Sequence, residues 1–106
     1  MGAYSDASGY ISTALGRNTF APSAFETSLG CYNTNYTPGS TTDWNNNDRL
    51  FSVGNGTSES ARSNALSIYK NGNVAIGNTI PEATAALEVS STTKGFLPPR
   101  MTNAQM

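Results

Sequence analysis

The sequence has no histidine and a single cysteine, so it lacks the side chains that most enzyme sites use. Histidine is the commonest general base and metal ligand at neutral pH. Without it, Cys31 has no partner to activate it as a nucleophile, and as the lone cysteine it cannot form an intrachain disulfide. No glycine-rich segment opens a phosphate-binding GK[ST] motif. We therefore expect no enzyme activity, no metal site and no cofactor.

Charge and long apolar runs are also scarce. Charged residues make up 12% of the 106 residues and the net charge is −1, so nucleic acid is not an expected partner. No apolar run approaches the roughly 18 residues of a membrane-spanning helix, and we expect no membrane insertion by this segment. The polar character comes from Ser, Thr, Asn and Gly, which are common in turns and on solvent-facing strands. This composition favours an all-β, turn-rich protein.

A repeat runs through the first third of the chain. The stretch GYISTALG at 9–16 returns as SAFETSLG at 23–30, fourteen residues later. Steps of seven residues divide the segment 2–36 into five units, which begin at Gly2, Gly9, Gly16, Ser23 and Gly30. Because the most similar units alternate, the period is fourteen residues and contains two short units.

Within each unit, the side chains alternate between a small or polar face and a bulkier one, as on a β-strand. A coiled coil is the competing interpretation of a seven-residue repeat. It fails because glycine at nearly every unit start would cost a helix about 1 kcal/mol each. The repeat therefore predicts a β-solenoid in which two short strands joined by glycine turns form one coil. It places Leu15 near Leu29, and Ile11 near Phe25.

The remainder of the chain predicts a loop, a hairpin and a tail. The segment 37–48 contains Pro, Gly and three consecutive asparagines, the composition of a loop. In the segment 49–80, alternating apolar residues flank Asn71-Gly72, which favours a two-residue type I′ hairpin turn. The segment 81–106 contains one possible short strand, ALEVSS. It ends in KGFLPPRMT, whose prolines exclude a central strand or a helix interior and indicate an extended tail.

These motifs resemble two groups of fibrous proteins. Units such as GAYSDASGYISTALG are similar to the head repeats of trimeric autotransporter adhesins, which implies a left-handed parallel β-roll and an intertwined homotrimer. The stretch GNGTSESARSNALSIYKNGNVAIG, followed by LEVSSTTKGFLPPRMT, resembles the junction segment of phage-type tail fibres and related surface proteins. The second resemblance implies part of a longer extracellular fibre, on a virion, an injection system or a bacterial surface, that leads into a further C-terminal domain.

The expected architecture is an all-β chain of four segments: a parallel β-roll head at 1–36, a loop at 37–48, a hairpin section at 49–80 that returns to a head-type strand, and an extended tail at 81–106. The residues expected in the core or at the trimer contact are Ile11, Ala14, Leu15, Phe25, Leu29, Leu66, Ile68, Val74 and Ile76. The residues expected in turns are Gly9, Gly16, Gly30, Asn71 and Gly72.

The expected function is a structural and receptor-binding segment of a trimeric fibre that attaches to a cell surface. Aromatic side chains repeated in three chains would bind a surface glycan or a protein receptor by avidity. The candidates are Tyr4, Tyr10, Tyr32, Tyr36 and Trp44. Two alternatives stay open: a passive trimeric spacer and, more remotely, a fragment of a polysaccharide-cleaving spike that would use carboxylates such as Glu26 or Asp43.

Overall fold

The computed structural model describes residues 3–104; Met1, Gly2, Gln105 and Met106, at the ends of the predicted head and tail segments, lie outside the described residues. Within 3–104 there is no helix, and hence none that could cross a membrane. Six strands form one mixed sheet, in chain order: β1 (Thr13–Ala14), β2 (Thr27–Cys31), β3 (Arg49–Asn55), β4 (Asn64–Tyr69), β5 (Val74–Ile76) and β6 (Leu87–Val89). The described part is elongated, 51 × 29 × 22 Å. The prediction of an all-β chain is confirmed.

The N-terminal third is built from parallel pairs of residues that are fourteen apart in sequence. In the pairing of β1 with β2, Thr13 lies opposite Thr27. Three isolated parallel bridges have the same spacing: Ala3 with Arg17, Asp6 with Phe20, and Arg17 with Cys31. The fourteen-residue period of the sequence is therefore the spacing at which the backbone pairs.

The third residue of each seven-residue unit adopts a left-handed backbone conformation. The φ angles lie between 46° and 63° in all five units, at Tyr4, Ile11, Asn18, Phe25 and Tyr32. The prediction that these positions belong to strands is wrong, because a left-handed residue interrupts an extended strand. This is why β1 begins only at Thr13.

The glycines at the unit starts allow neighbouring segments to approach closely. Gly16 and Gly30 have φ of 116° and 95°, whereas Gly9 lies in a bend without a positive φ. A Cβ atom at Gly16 would collide with the carbonyl oxygen of Gly30, and one at Gly30 with that of Gly54. A Cβ at Gly9 would collide with the carbonyl oxygen of Ser23. Close packing thus requires glycine at these positions. The expectation of a turn at Gly30 is corrected, because Gly30 lies inside β2, opposite Gly54.

The sheet continues without a break into the second half of the chain. β3 pairs parallel with β2, β4 pairs antiparallel with both β3 and β5, and β6 pairs parallel with β5. The predicted hairpin is present as β4 and β5. Beyond Val89, the described residues form no strand and those from 91 onward are exposed, as expected for an extended tail.

The hairpin turn differs from the predicted type I′ turn. The Gly72 N–H donates to the Tyr69 carbonyl oxygen (2.9 Å), and Gly72 has φ of 95° while Asn71 has no positive φ. This is a type I turn followed by a left-handed glycine, which makes a three-residue loop. The Asn71 side-chain oxygen accepts the Asn73 N–H (2.9 Å), and this local bond stabilises the alternative turn.

Candidate functional site

The sheet carries an apolar face made of two rows of side chains that cross all six strands. The strand registers place corresponding residues side by side, and residues two apart on a strand share a face. The first row contains Thr13, Thr27, Phe51, Ile68, Val74 and Leu87. The second row contains Leu29, Val53, Leu66, Ile76 and Val89. Leu15 extends the second row, because its N–H continues the ladder by donating to the Ser28 carbonyl oxygen (2.9 Å).

The row of residues between these two points to the opposite side and is small or polar. Its buried members are Ala14, Ser28, Ser52, Ser67 and Ala75, each 6% exposed or less. Within residues 3–104, the fully buried apolar side chains are all alanines: Ala14, Ala21, Ala24 and Ala75. The interior of the single chain is therefore small and polar, whereas most monomeric proteins bury their large apolar residues.

The apolar face is correspondingly accessible. Four of its members are 39% to 52% exposed: Leu15, Ile76, Leu87 and Val89. The members that are half-buried include Leu29, Phe51, Val53, Leu66, Ile68 and Val74. A continuous, accessible row of apolar side chains is typical of a surface that contacts another molecule. Since neither face of the sheet gives one chain a large apolar core, burying the apolar face is the main available source of hydrophobic stabilisation.

The tail carries further exposed apolar residues. Phe96, Leu97 and Met101 are 67%, 71% and 52% exposed. A cavity of about 420 Å³ lies where the start of the tail meets Ile76 and Val89. The start of the tail thus lies next to the end of the second row.

The nine residues expected in the core or at the trimer contact fall into three places. Ala14 is buried on the small, polar side of the sheet. Six lie on the apolar face: Leu15, Leu29, Leu66, Ile68, Val74 and Ile76. Ile11 and Phe25 lie instead at the left-handed corners, where Ile11 is 68% exposed and Phe25 is half-buried. Sequence alternation did not separate the corner positions from the strand positions.

A cluster of ionised side chains occupies the polar interior. The Arg49 Nε atom lies 3.3 Å from Glu26 Oε2, and the two residues are 1% and 0% exposed. That N–H is not aligned for a hydrogen bond within the described residues, so the contact is an ion pair. The other two guanidinium nitrogens donate to the hydroxyl (2.6 Å) and carbonyl (2.7 Å) oxygens of Thr34. The guanidinium also stacks over the Tyr36 ring, 4.2 Å from its centre.

Hydrogen bonds connect this ion pair to other buried groups. Glu26 Oε1 accepts bonds from the hydroxyls of Ser23 and Tyr36, each 2.7 Å long. The Lys70 ammonium donates to the Ser23 hydroxyl (2.7 Å) and to the Arg49 carbonyl oxygen (3.0 Å). The cluster links three distant parts of the chain, and charge-assisted bonds of this kind are stronger than neutral ones.

Burial changes the ionisation of groups around the cluster. Burial and the neighbouring Glu26 carboxylate raise the pKa of Tyr36 above its usual range. Burial also raises the pKa of Tyr69 and lowers that of Lys70; the nearby Asp48 and Glu26 carboxylates partly oppose the change at Lys70. At neutral pH both tyrosines are therefore protonated.

The predicted receptor-contact aromatics do not form one surface. Tyr10 and Trp44 lie on either side of Phe25, with ring centres 6.0 Å and 6.4 Å from it, and form an aromatic row. Tyr10 is 58% exposed and Trp44 53%. Lys70 approaches the Trp44 ring to 5.8 Å, and Tyr4 stands apart at 81% exposure.

Two of the predicted receptor-contact aromatics have arginine guanidinium groups close to their rings. Tyr32 has the guanidinium groups of Arg17 and Arg62 within 5.9 Å and 5.5 Å of its ring centre. The expectation that Tyr36 is a free surface aromatic is corrected, because its ring packs on Arg49 and its hydroxyl points at Glu26.

The two carboxylates considered for a polysaccharide-cleaving site lie in different environments. Glu26 is fully buried, whereas Asp43 is exposed and its carboxylate accepts the Thr42 hydroxyl (3.3 Å). The described residues contain no group of three or more His, Cys, Asp or Glu that could hold a metal ion. The Cys31 thiol is free and donates to the Gly56 carbonyl oxygen (3.2 Å).

Sequence reasoning missed the ionic cluster and half of the apolar face. Glu26 occupies the small, polar face of its unit. A carboxylate among small residues on that face was the available signal that a buried basic side chain pairs with it. The missed members of the apolar face include Phe51, Val53, Leu87 and Val89. The sequence shows the alternation of apolar and polar residues at these positions, but no repeat connects them to the units at 2–36.

Comparison with known proteins gives a family match in the C-terminal part of the chain. Residues 75–106 match the family described as the phage tail like trimerisation region. The match contains β6, most of β5 and the tail, and therefore the members Ile76, Leu87 and Val89 of the apolar face. No curated protein and no solved structure shows a significant match. The C-terminal third thus has the character of a trimeric segment of a phage tail-like fibre, whereas the match does not extend to the repeats at 2–36.

Proposed function

We propose that the chain is a structural segment of a homotrimeric, phage tail-like fibre and that the apolar face is the contact between its three copies. The observation that carries the proposal is the placement of large apolar side chains on the accessible side of the sheet, over a polar interior. The match at 75–106 to a trimerisation region supplies the number three. Three copies that contact one another through the same pair of surfaces close into a ring, which would remove much of the apolar face from water.

The N-terminal part is proposed to be a parallel β-roll of the kind found in trimeric autotransporter heads. Parallel pairing at a spacing of fourteen residues and the left-handed corners at every seventh residue support this proposal. Each coil buries little apolar area by itself, so the roll would depend on the trimer for its stability. The segment would then belong to an extracellular fibre, on a virion or injection system or, alternatively, on a bacterial surface.

Attachment to a receptor on a target cell is a second proposed role. The row formed by Tyr10, Phe25 and Trp44 supports it, because two large aromatic side chains remain exposed at the same place. Threefold repetition would convert weak contacts into avidity. A passive spacer is the alternative, and an enzymatic role is the least favoured because Glu26 is inaccessible to any substrate.

The mass of the protein in solution tests the trimer. Light scattering should give three times the chain mass of 11.1 kDa. Ile76→Glu places a charge in the apolar face at a side chain that is 42% exposed in one chain, so it should dissociate the trimer without a clash inside the chain. Thr57→Glu, at an exposed loop position, is the matched control and should stay trimeric. A folded wild-type monomer, or an Ile76→Glu trimer as stable as the control, would contradict the proposal.

A further inference from the structure

A groove of amide and tyrosine side chains lies at the end of the β4–β5 hairpin. It consists of two adjoining cavities of about 290 Å³ and 160 Å³, which share Asn47, Tyr69 and Ile80 as lining residues. Their combined volume is at the lower end of the range for small-molecule sites. Neither the aromatic row nor the apolar face contributes to its lining.

Several side-chain amides in the groove have atoms that make no hydrogen bond within residues 3–104. The Asn47 side chain makes no hydrogen bond within residues 3–104. Asn35 and Asn71 each use the side-chain oxygen to accept a backbone N–H, which leaves their NH₂ groups without a partner among the described residues. An amide offers both donors and acceptors, so it can bind a hydroxyl in either direction.

The groove also has an apolar surface for a ring to rest on. The Tyr69 ring is half-buried and fixed, because its hydroxyl donates to the Thr79 carbonyl oxygen. Beside it, Ile80 is 73% exposed. An aromatic ring with a fixed position binds the apolar face of a sugar with little loss of conformational entropy.

The lining carries no charge that is free to bind an ion. Its one charged residue is Arg49, whose guanidinium is already bound by Glu26 and Thr34. A group committed in this way does not bind a carboxylate or phosphate of a ligand without losing its own partners. The groove therefore favours a neutral ligand rich in hydroxyl groups.

The groove stays open when the apolar face is covered. Tyr69 lies two residues after Ser67, whose side chain points away from the apolar face. Tyr69 is also the register partner of Arg49, which points into the polar interior because the register shifts between Arg49 and Phe51. A trimer formed through the apolar face would present three such grooves outward.

We infer that this groove binds a short neutral oligosaccharide, with the Tyr69 ring stacking on a sugar and Asn35, Asn47 and Asn71 binding its hydroxyls. The inference rests on the proposed attachment role, to which it gives a site and a ligand class. The stacking and hydrogen-bonding groups come from three separate segments, so the site exists only in the folded chain.

Titration of the wild-type protein with neutral tetrasaccharides, followed by NMR shifts of the backbone amides, tests the inference. The probes are cellotetraose, maltotetraose, chitotetraose and mannotetraose, and sialyllactose serves as an anionic comparison. We expect at least one neutral probe to shift the amides of residues 69–73 and 47. Asn47→Ala should weaken that binding about fivefold, because each lost hydrogen bond contributes roughly 1 kcal/mol. Tyr69→Phe should retain most of it and Tyr69→Ala should lose it.

Two further variants separate the possible outcomes. Trp44→Ala removes the aromatic row but leaves the groove intact, so its affinity should equal that of the wild type. Thr57→Ala is the neutral surface control. Binding that is lost in Trp44→Ala and kept in Asn47→Ala, binding of sialyllactose alone, or no shift with any neutral probe would each overturn the inference. The solution mass of every sample is measured in parallel: an intact trimer without binding refutes the groove alone, whereas a monomer refutes the proposed fibre.

Discussion

The carboxylate of Glu26 and the guanidinium of Arg49 form an ion pair, 3.3 Å apart, in the most enclosed part of the chain. The two residues are 23 positions apart in sequence. Glu26 directly precedes β2, and Arg49 is the first residue of β3. Their pairing joins the repeat segment to the hairpin section. Taking one charge out of the pair leaves the other without compensation in a low-dielectric interior.

We predict that Glu26→Gln destabilises the protein by about 3–5 kcal/mol, the cost of leaving a buried charge unpaired. The double variant Glu26→Leu with Arg49→Met should recover part of this loss, because it removes both charges but leaves the Ser23 and Tyr36 hydroxyls without their acceptor. Urea unfolding at a fixed protein concentration measures the difference. Glu59→Gln, at an exposed position, is the control. A Glu26→Gln variant within about 1 kcal/mol of the wild type would show that the pair has no structural role.

Two glycines with the same φ of 95°, Gly30 and Gly72, allow the cost of a steric collision to be measured separately from the cost of backbone strain. Gly72→Ala should cost about 1–2 kcal/mol for the left-handed backbone alone, since nothing lies within 4 Å of the added Cβ. Gly30→Ala adds a collision with the Gly54 carbonyl oxygen and should cost at least about 1 kcal/mol more. Thermal or urea unfolding compares the two. Equal losses would mean that the segments can move apart at Gly30 without penalty.

The protein should lose stability at strongly alkaline pH. The pKa values of Tyr36 and Tyr69 are raised above the usual 10.0, so their contribution is complete below pH 10 and declines as the pH rises further. Lys70 acts in the opposite direction, because its lowered pKa makes stability increase until the pH reaches the usual lysine value of 10.5. Above that value only the tyrosine effect remains.

Free energies of unfolding measured between pH 8.5 and 11.5 should show this decline. The double variant Tyr36→Phe with Tyr69→Phe should have a lower free energy of unfolding at pH 8.5 and a smaller decline above pH 10. An equally steep decline in the double variant would assign the effect to other groups.

The loop before β6 should lose its order in acid. The Glu88 carboxylate accepts the Glu82 N–H (2.7 Å) and the Asn78 amide (3.3 Å), and these bonds, the first above all, lower the pKa of Glu88 below its usual 4.5. Stabilisation of the loop is therefore present above pH 4.5 and disappears as the pH falls through the lowered value. The Glu82 amide shift, followed by NMR, should titrate with a midpoint below 4.5, and Glu88→Gln should abolish the titration. A midpoint at or above 4.5 would rule out the proposed bonds in solution.

Local sequence patterns were sufficient for several parts of the fold. The period of fourteen residues, the hairpin around Asn71-Gly72 and the short strand at Leu87–Val89 all depend on neighbouring residues, so they could be read from alternation and turn chemistry. The turn type could not, because the Asn71 side chain competes with the backbone geometry that the dipeptide usually adopts.

The sequence by itself determined an all-β chain that repeats every fourteen residues, because strand alternation and glycine placement are properties of adjacent positions. Tertiary structure alone decided which side of the sheet is the interior. A repeat with one small, polar face and one bulkier face could bury either. The structure encloses the small face around Glu26 and Arg49, where charges from distant segments satisfy one another, and leaves Leu29, Val53 and Ile76 on the accessible side. That choice depends on contacts between residues far apart in sequence, and it makes the apolar face available to other chains.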